Sequence, residues 1–304
     1  MNDIEMLLDK KRALINKRID ELLSTGFEQI EAYELVKYTF RTGGKRLRPV
    51  LVLLACESIG RDSTHALDAA VAMEFLHAGS LIFDDLIDKH RLRRNVPTTQ
   101  HAFADDKALS AGLFLASKGV QILSEYKDSM ITKLAGWGLV DLSKGEILDV
   151  ITELAIDVDH YLTIADLKTG SLFSAAAGIG GVLGGATPEE VDCLYNYGRA
   201  VGIAFQIKDD ILDSPGNPQT QDRVNLVLMH YLDEATKQGR ASEILQKKEN
   251  SMELTEVRER AIEFALKKSR EHVEKAKQQL KGLRDANKRV LLEDFADYSL
   301  ERKF

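Results

Sequence analysis

The sequence has little of what breaks or staples a chain. Five prolines are spread over 304 residues. Proline lacks a backbone donor and clashes with the preceding helical turn, so this composition permits many long helices. The two cysteines, Cys56 and Cys193, stand far apart and form no C-x-x-C pair. That excludes a thiolate zinc site and a disulfide framework, and it suits a reducing, cytoplasmic setting. Positive charge is not in excess: 41 Lys and Arg against 48 Asp and Glu leave a formal net charge of −7. No partnership with nucleic acid is therefore expected. The N-terminal run MNDIEMLLDKKRALINKRIDELL has no uninterrupted apolar stretch and does not read as a signal peptide. The longest low-charge stretch, Thr169 to Pro188, is rich in glycine and other small residues. It reads as a packed helix, with no stable membrane insertion.

What is present is helical periodicity. Apolar residues make up 44% of the chain and charged residues 29%, the balance of a folded protein. Ile4, Leu7, Leu8, Leu14, Ile15, Ile19, Leu22 and Leu23 fall on one stripe at the 3.6-residue period. The same pattern predicts helices over 50–59, with Pro49 at the first position, and over 63–86, 109–123, 131–150, 253–281 and 286–302. Thr187-Pro188-Glu189-Glu190 combines a cap, an N1 proline and two acids, and so opens a further helix to Leu212. Strand signals are weak, and no hairpin turn separates alternating runs. The Pro/Gly-rich break at 214–221 reads as a site loop. The expectation is a single all-α domain over residues 1–304.

Two acidic clusters carry the chemistry. Asp84-Asp85-Leu86-Ile87-Asp88 and Asp209-Asp210-Ile211-Leu212-Asp213 are both D-D-x-x-D. On a helix, residues four apart share a face, which pairs Asp84 with Asp88 and Asp209 with Asp213. Both clusters end apolar runs, where carboxylates are costly unless paired or metal-bound. An all-oxygen set favours a hard cation such as Mg²⁺, shared with substrate phosphates. The plainer reading is two acidic helix surfaces. Gly43-Gly44-Lys45-Arg46-Leu47-Arg48-Pro49 places three cations just before a helix, and Arg91, Arg93 and Arg94 follow the first cluster. Such arrangements bind anions, or form a solvated charged loop. His77 reads equally as a core histidine or a phosphate ligand. Gln206 and Thr169 read as ordinary helix polars, and Glu146 as structural. No Ser–His–Asp or Cys–His set is found.

In order and spacing, GGKRLRP (43–49), HAGSLIFDDLID (77–88), LRRNVPTT (92–99), KTG (168–170) and FQIKDDILD (205–213) resemble the trans-isoprenyl diphosphate synthases, or polyprenyl synthetases. The likeness is strongest to the short-chain geranylgeranyl and farnesyl enzymes. It implies an all-α isoprenoid-synthase bundle around a deep central cavity, usually a homodimer. It implies a prenyltransferase that joins isopentenyl diphosphate to allylic diphosphates, head to tail, with about three Mg²⁺ ions per site. Asp84, Asp85, Asp88 and Asp209 would hold the metal, with Asp213 in support. Lys168 and Asp210 would join these aspartates as catalytic residues. Arg93 and Lys168 would contact the allylic diphosphate. Lys45, Arg48, His77 and Arg94 would hold isopentenyl diphosphate, and Thr169 and Gln206 would line the reacting carbons.

Some positions depart from the family pattern. Phe83 and Leu113 stand where relatives commonly have His and Asp, and Glu146 where they often have Gln. The segment after Asp213 is shorter than usual, with Arg223 in place of a lysine. Gly79 and Ser80 lie about one turn, ~5.4 Å, before Asp84, where relatives set product length. Leu76 and Met73 lie a further turn back. These small residues point to geranylgeranyl diphosphate (C20), and Gly79→Phe is expected to shorten the product. Farnesyl (C15) or longer (C25 or more) products, a non-catalytic regulatory subunit and a terpene cyclase are the other readings.

Overall fold

The computed structural model describes residues 3–24, 27, 29–41, 43–152, 157–212, 225–237 and 252–301. Its helices are α1 (Asp3–Ser24), α2 (Ile30–Tyr38), α3 (Leu47–Ile59), α4 (Leu67–Ile87), α5 (Thr99–Ala102), α6 (Asp105–Ser124), α7 (Ser129–Ile151), α8 (Val158–Ala165), α9 (Ser171–Gly184), α10 (Pro188–Leu212), α11 (Leu226–Lys237), α12 (Met252–Gln279) and α13 (Ala286–Glu301). The all-α expectation holds. The start of α10 is a reciprocal capping box: Thr187 N donates to Glu190 Oε2 at 3.0 Å, and Glu190 N donates to Thr187 Oγ1 at 3.3 Å. The side chains of Asp128 and Asp157 cap α7 and α8 by accepting from Met130 N and His160 N.

The core is built around α4 and α9. Helix α9 is buried nearly all round, which matches its apolar, small-residue sequence, and it packs on α3, α7 and α10. Helix α4 packs on α3 and α6. The segment 63–87 is long and apolar enough to cross a membrane by length and composition, but 67% of its apolar window is buried within the bundle. Leu51, Leu54, Met73, Phe75, Phe173 and Tyr197 are fully buried there, each worth about 1.5–3 kcal/mol for an aliphatic or aromatic side chain. A second cluster, including Tyr161, Ile207, Leu226, Tyr231 and Val257, joins α8, α10, α11 and α12.

The structure corrects three expectations. Helix α3 begins at Leu47, so Pro49 is its third residue. The first four N–H groups of a helix lack intrahelical partners, so proline is accommodated there as well. Secondly, Leu92–Arg93 pairs antiparallel with Val96–Pro97. The turn residues Arg94 (φ 52°) and Asn95 (φ 63°) both take positive φ, the pattern of a type I′ hairpin. Two-residue strands are too short to show alternation in sequence.

Thirdly, Gly79 does not face the cavity. A Cβ there would stand 2.9 Å from Gly112 O and 3.3 Å from Ala116 N, so the residue is where α4 and α6 touch. Leu76 and Met73 are also buried in the core, and of the four expected floor residues only Ser80 lines the cavity. Gly79→Phe is therefore expected to force α4 and α6 apart and destabilise the protein by roughly 1–3 kcal/mol or more, measured by chemical denaturation. A variant of unchanged stability that makes a shorter product would restore the floor assignment.

Candidate active site

A cavity of ≈ 1800 Å³ opens where α4, α7, α10, the hairpin and the 43–48 segment meet. Lys45, Arg48, His77, Ser80, Asp84, Asp88, Arg93, Arg94, Lys168, Thr169, Gln206, Asp209 and Asp210 all line it. Segments more than a hundred residues apart in sequence thus converge on one space. Asp213, Arg223 and the short segment between them lie outside the described residues.

The first aspartate cluster closes α4. Asp84 and Asp85 are 8% and 5% exposed, so their charges need partners close by. Arg93, from the hairpin, supplies one. Its Nε lies 3.0 Å from both Asp85 oxygens, and its Nη2 is 2.7 Å from Asp85 Oδ1 and 3.1 Å from Asp84 Oδ2. Asp85 stands in this fork and does not line the cavity. Burial works against the Arg93 charge, but the hydrogen bonds and charges of Asp85 and Asp84 raise its pKa overall.

Lys168 supplies the other. It lies in a single π-helical turn, Asp166–Gly170, between α8 and α9; such turns are frequent at functional sites. Gly145 on α7 brings this turn close, since a Cβ there would be 2.5 Å from Lys168 N. Lys168 Nζ is 3.0 Å from Asp84 Oδ1, 2.8 Å from Glu146 Oε2 and 2.6 Å from Asp149 Oδ2. Burial opposes its charge, yet Asp84, Asp149 and Glu146 together raise its pKa. Glu146 shifts upward too, because burial outweighs the pull of Lys168.

The basic segment divides its cations. Arg46, in a left-handed conformation, turns inward to pair with Glu74 at 2.6 Å and Asn16 at 3.0 Å. Arg48 Nη1 lies 3.0 Å from His77 Nε2. Arginine only donates, so His77 accepts, as a neutral ring with its proton on Nδ1. Burial, then Arg48, Arg93 and Arg94, hold the His77 pKa well below its ordinary value. Burial also lowers Arg48 to about 10, which leaves it charged at neutral pH. Arg94 Nη1 donates to Gly43 O at 2.7 Å, tying the hairpin to the basic segment.

Thr169 Oγ1 donates to Gln206 Oε1 at 2.7 Å, and Gln206 Nε2 donates to Asp210 Oδ1 at 3.1 Å. The other Asp210 oxygen accepts from Leu226 N at 2.8 Å, at the start of α11. Burial pushes the Asp210 carboxyl up to about 7. Asp210 was expected among the catalytic residues. The structure instead places both its oxygens on the fold, where they clip α11 to α10.

Sequence reasoning missed Asp149 and left Glu146 as structural. Their signal was available: two carboxylates three residues apart on a helix otherwise rich in apolar residues. The carboxylates around the cavity are hard oxygen donors, as Mg²⁺ requires. Glu146 Oε1 is buried with no hydrogen-bond partner. The donor set therefore fits a divalent cation. Among the described residues no three ligating side chains already converge as a metal site. Arg93 and Lys168 take up Asp84 and Asp85 instead.

A helical bundle that gathers two aspartate motifs and two sets of cations in one large cavity defines an enzyme that handles diphosphates. The comparisons agree. Residues 29–263 match the polyprenyl synthetase family, and the chain belongs to that family. It is 31% identical to a geranylgeranyl diphosphate synthase of Methanosarcina mazei, over 95% of each chain. It is 33% identical to a short chain isoprenyl diphosphate synthase of Methanothermobacter thermautotrophicus, over 100% of each. The geranylgeranyl pyrophosphate synthetase structure from the archaeon Geoglobus acetivorans superposes with a TM-score of 0.85 at 31% identity, covering 97% of this chain and 100% of that one. The protein is a prenyltransferase that forms prenyl diphosphates by condensation.

The Asp210 geometry gives a stability test. Asp210→Ala leaves Leu226 N and Gln206 Nε2 without their acceptor and is expected to cost about 1–3 kcal/mol. Asp209→Ala, at the cavity edge, should cost less. Urea unfolding of both variants measures the difference, and equal losses would contradict the clip.

Proposed function

We propose that the chain condenses isopentenyl diphosphate with an allylic diphosphate, head to tail, and that its main product is geranylgeranyl diphosphate (C20). One observation carries the reaction: a single cavity holds two separate sets of cations. Arg93 and Lys168 sit with the carboxylates of α4 and α7, while Arg48 and Arg94 sit with the 43–48 segment, Arg48 beside the neutral His77. Two diphosphates need two such sets. A cyclase, with one diphosphate, has no use for the second.

In this reading Asp84, Asp88 and Asp209, which line the cavity, would hold Mg²⁺, which neutralises charge on the leaving diphosphate, while Asp85 holds Arg93 in place. Arg93 and Lys168 bind the same group and stabilise the diphosphate as its C–O bond breaks. Lys45, Arg48, His77 and Arg94 hold isopentenyl diphosphate so that its double bond faces the allylic carbon. Thr169 and Gln206, hydrogen-bonded to each other, border the reacting carbons. Leu81, Phe83, Leu142 and Phe205 give the cavity apolar wall that keeps water from the cation. A C–C bond forms, and the departing diphosphate takes the proton lost in the last step.

Ser80 leaves room at the cavity wall, and relatives named for geranylgeranyl synthesis match nearly the whole chain. Relatives named for geranylfarnesyl diphosphate (C25) match as well, one from Natronomonas pharaonis at 29% identity over 99% of the chain. A homodimer completes the proposal. Helices α6 and α7 pack together and expose Leu109, Leu113 and Val120 on one and Trp137, Val140, Ile147 and Ile151 on the other. Apolar faces of this kind mark association sites. Light scattering is expected to give twice the 33.9 kDa chain mass; a monomer would reject this part.

Incubation with Mg²⁺, labelled isopentenyl diphosphate and dimethylallyl, geranyl or farnesyl diphosphate tests the reaction. The expected result is extension to C20, lost in Asp84→Ala with the fold retained. A C25 product would correct the length. No extension from any primer would favour a regulatory subunit.

A further inference from the structure

Among the described residues, Glu146 is the one cavity carboxylate that neither aspartate motif supplies and that contacts a cation proposed to bind substrate. Its Oε2 is 2.8 Å from Lys168 Nζ, and its Oε1 is buried with no hydrogen-bond partner. Asp149 already pins Lys168 through a 2.6 Å hydrogen bond, and Asp84 lies 3.0 Å from the same ammonium. An ammonium has one positive charge and three N–H donors. Here it faces three carboxylates. The hydrogen bond that Lys168 donates to Asp149 is enough to orient the lysine. What Glu146 adds is a further negative charge, in a setting where charges are poorly screened.

That charge acts with opposite sign on the two components of a metal–diphosphate complex. It repels the diphosphate and attracts the divalent cation. We propose that Glu146 is a specificity-determining residue that makes binding of the allylic diphosphate depend on the divalent metal, by cancelling the attraction Lys168 alone would exert. The inference rests on the reading above, in which the Asp84 side of the cavity takes the allylic diphosphate. It assigns Glu146 an electrostatic part in place of the structural one.

The test compares the full-length protein with Glu146→Gln and with the charge-retaining Glu146→Asp. Calorimetry measures binding of inorganic pyrophosphate in EDTA. The Mg²⁺ concentration for half-maximal pyrophosphate binding is then determined by titration. Glu146→Gln is expected to bind metal-free pyrophosphate about tenfold more tightly and to need several-fold more Mg²⁺, a shift typical of one nearby charge. Glu146→Asp should stay close to wild type in both. Thermal melts establish that each variant is folded. A residue with only a structural part would weaken both quantities together. Parallel losses, or no change in either, would overturn the inference. If wild type extends isopentenyl diphosphate while the two quantities move in parallel, the inference alone fails. If wild type binds no pyrophosphate even with Mg²⁺, the reading of the site fails with it.

Discussion

Buried carboxylates need counter-charges, and this requirement organises the site. Asp84 and Asp85 end an apolar helix and are nearly inaccessible. Left alone there they would unfold the helix end or take up protons. The chain meets the requirement with two cations, and each comes from an irregular element in a helical fold. A two-residue hairpin with a positive-φ turn carries Arg93. A single π-helical turn, seated against Gly145, carries Lys168. Backbone irregularities are costly, and both occur where a cation must reach an aspartate.

The same logic separates neighbouring residues of like charge. Arg46 and Arg48 are two positions apart, yet Glu74 and Asn16 draw Arg46 into the fold while Arg48 stays at the cavity beside His77. Asp209 and Asp210 are adjacent, yet Asp210 is occupied by Leu226 N and Gln206 while Asp209 borders the cavity. In each pair one residue is held by the fold and the other borders the cavity beside it. Arg93 and Lys168 pair with the carboxylates that would hold metal under the proposed function. Under the proposed function, binding metal and diphosphate together would exchange these internal ion pairs for external ones.

Much of this was legible in the sequence. The 3.6-residue period located the long helices, and Thr187-Pro188-Glu189-Glu190 announced its capping box. The spacing of the two aspartate motifs and the basic run named most residues that the cavity gathers. The rest depends on which way a helical residue faces. Gly79 and Ser80 are neighbours, but successive helical residues point about 100° apart, so one meets α6 and the other the cavity. Sequence distance from Asp84 could not distinguish them. Asp149 and Glu146 were obscured for a related reason: their partner, Lys168, lies beyond the end of their helix, and only the close approach at Gly145 brings it to them.

Under the proposed function Arg93 and Lys168 would stand in for metal at Asp84 and give way to it. Diffraction at the manganese edge, from crystals grown with Mn²⁺ and inorganic pyrophosphate, tests this most directly. The expected result is anomalous peaks at the carboxylates of Asp84 and Asp209, with Arg93 and Lys168 moved onto phosphate oxygens. Pyrophosphate bound in the cavity with no metal at Asp84, and Arg93 and Lys168 still paired as they are here, would contradict it.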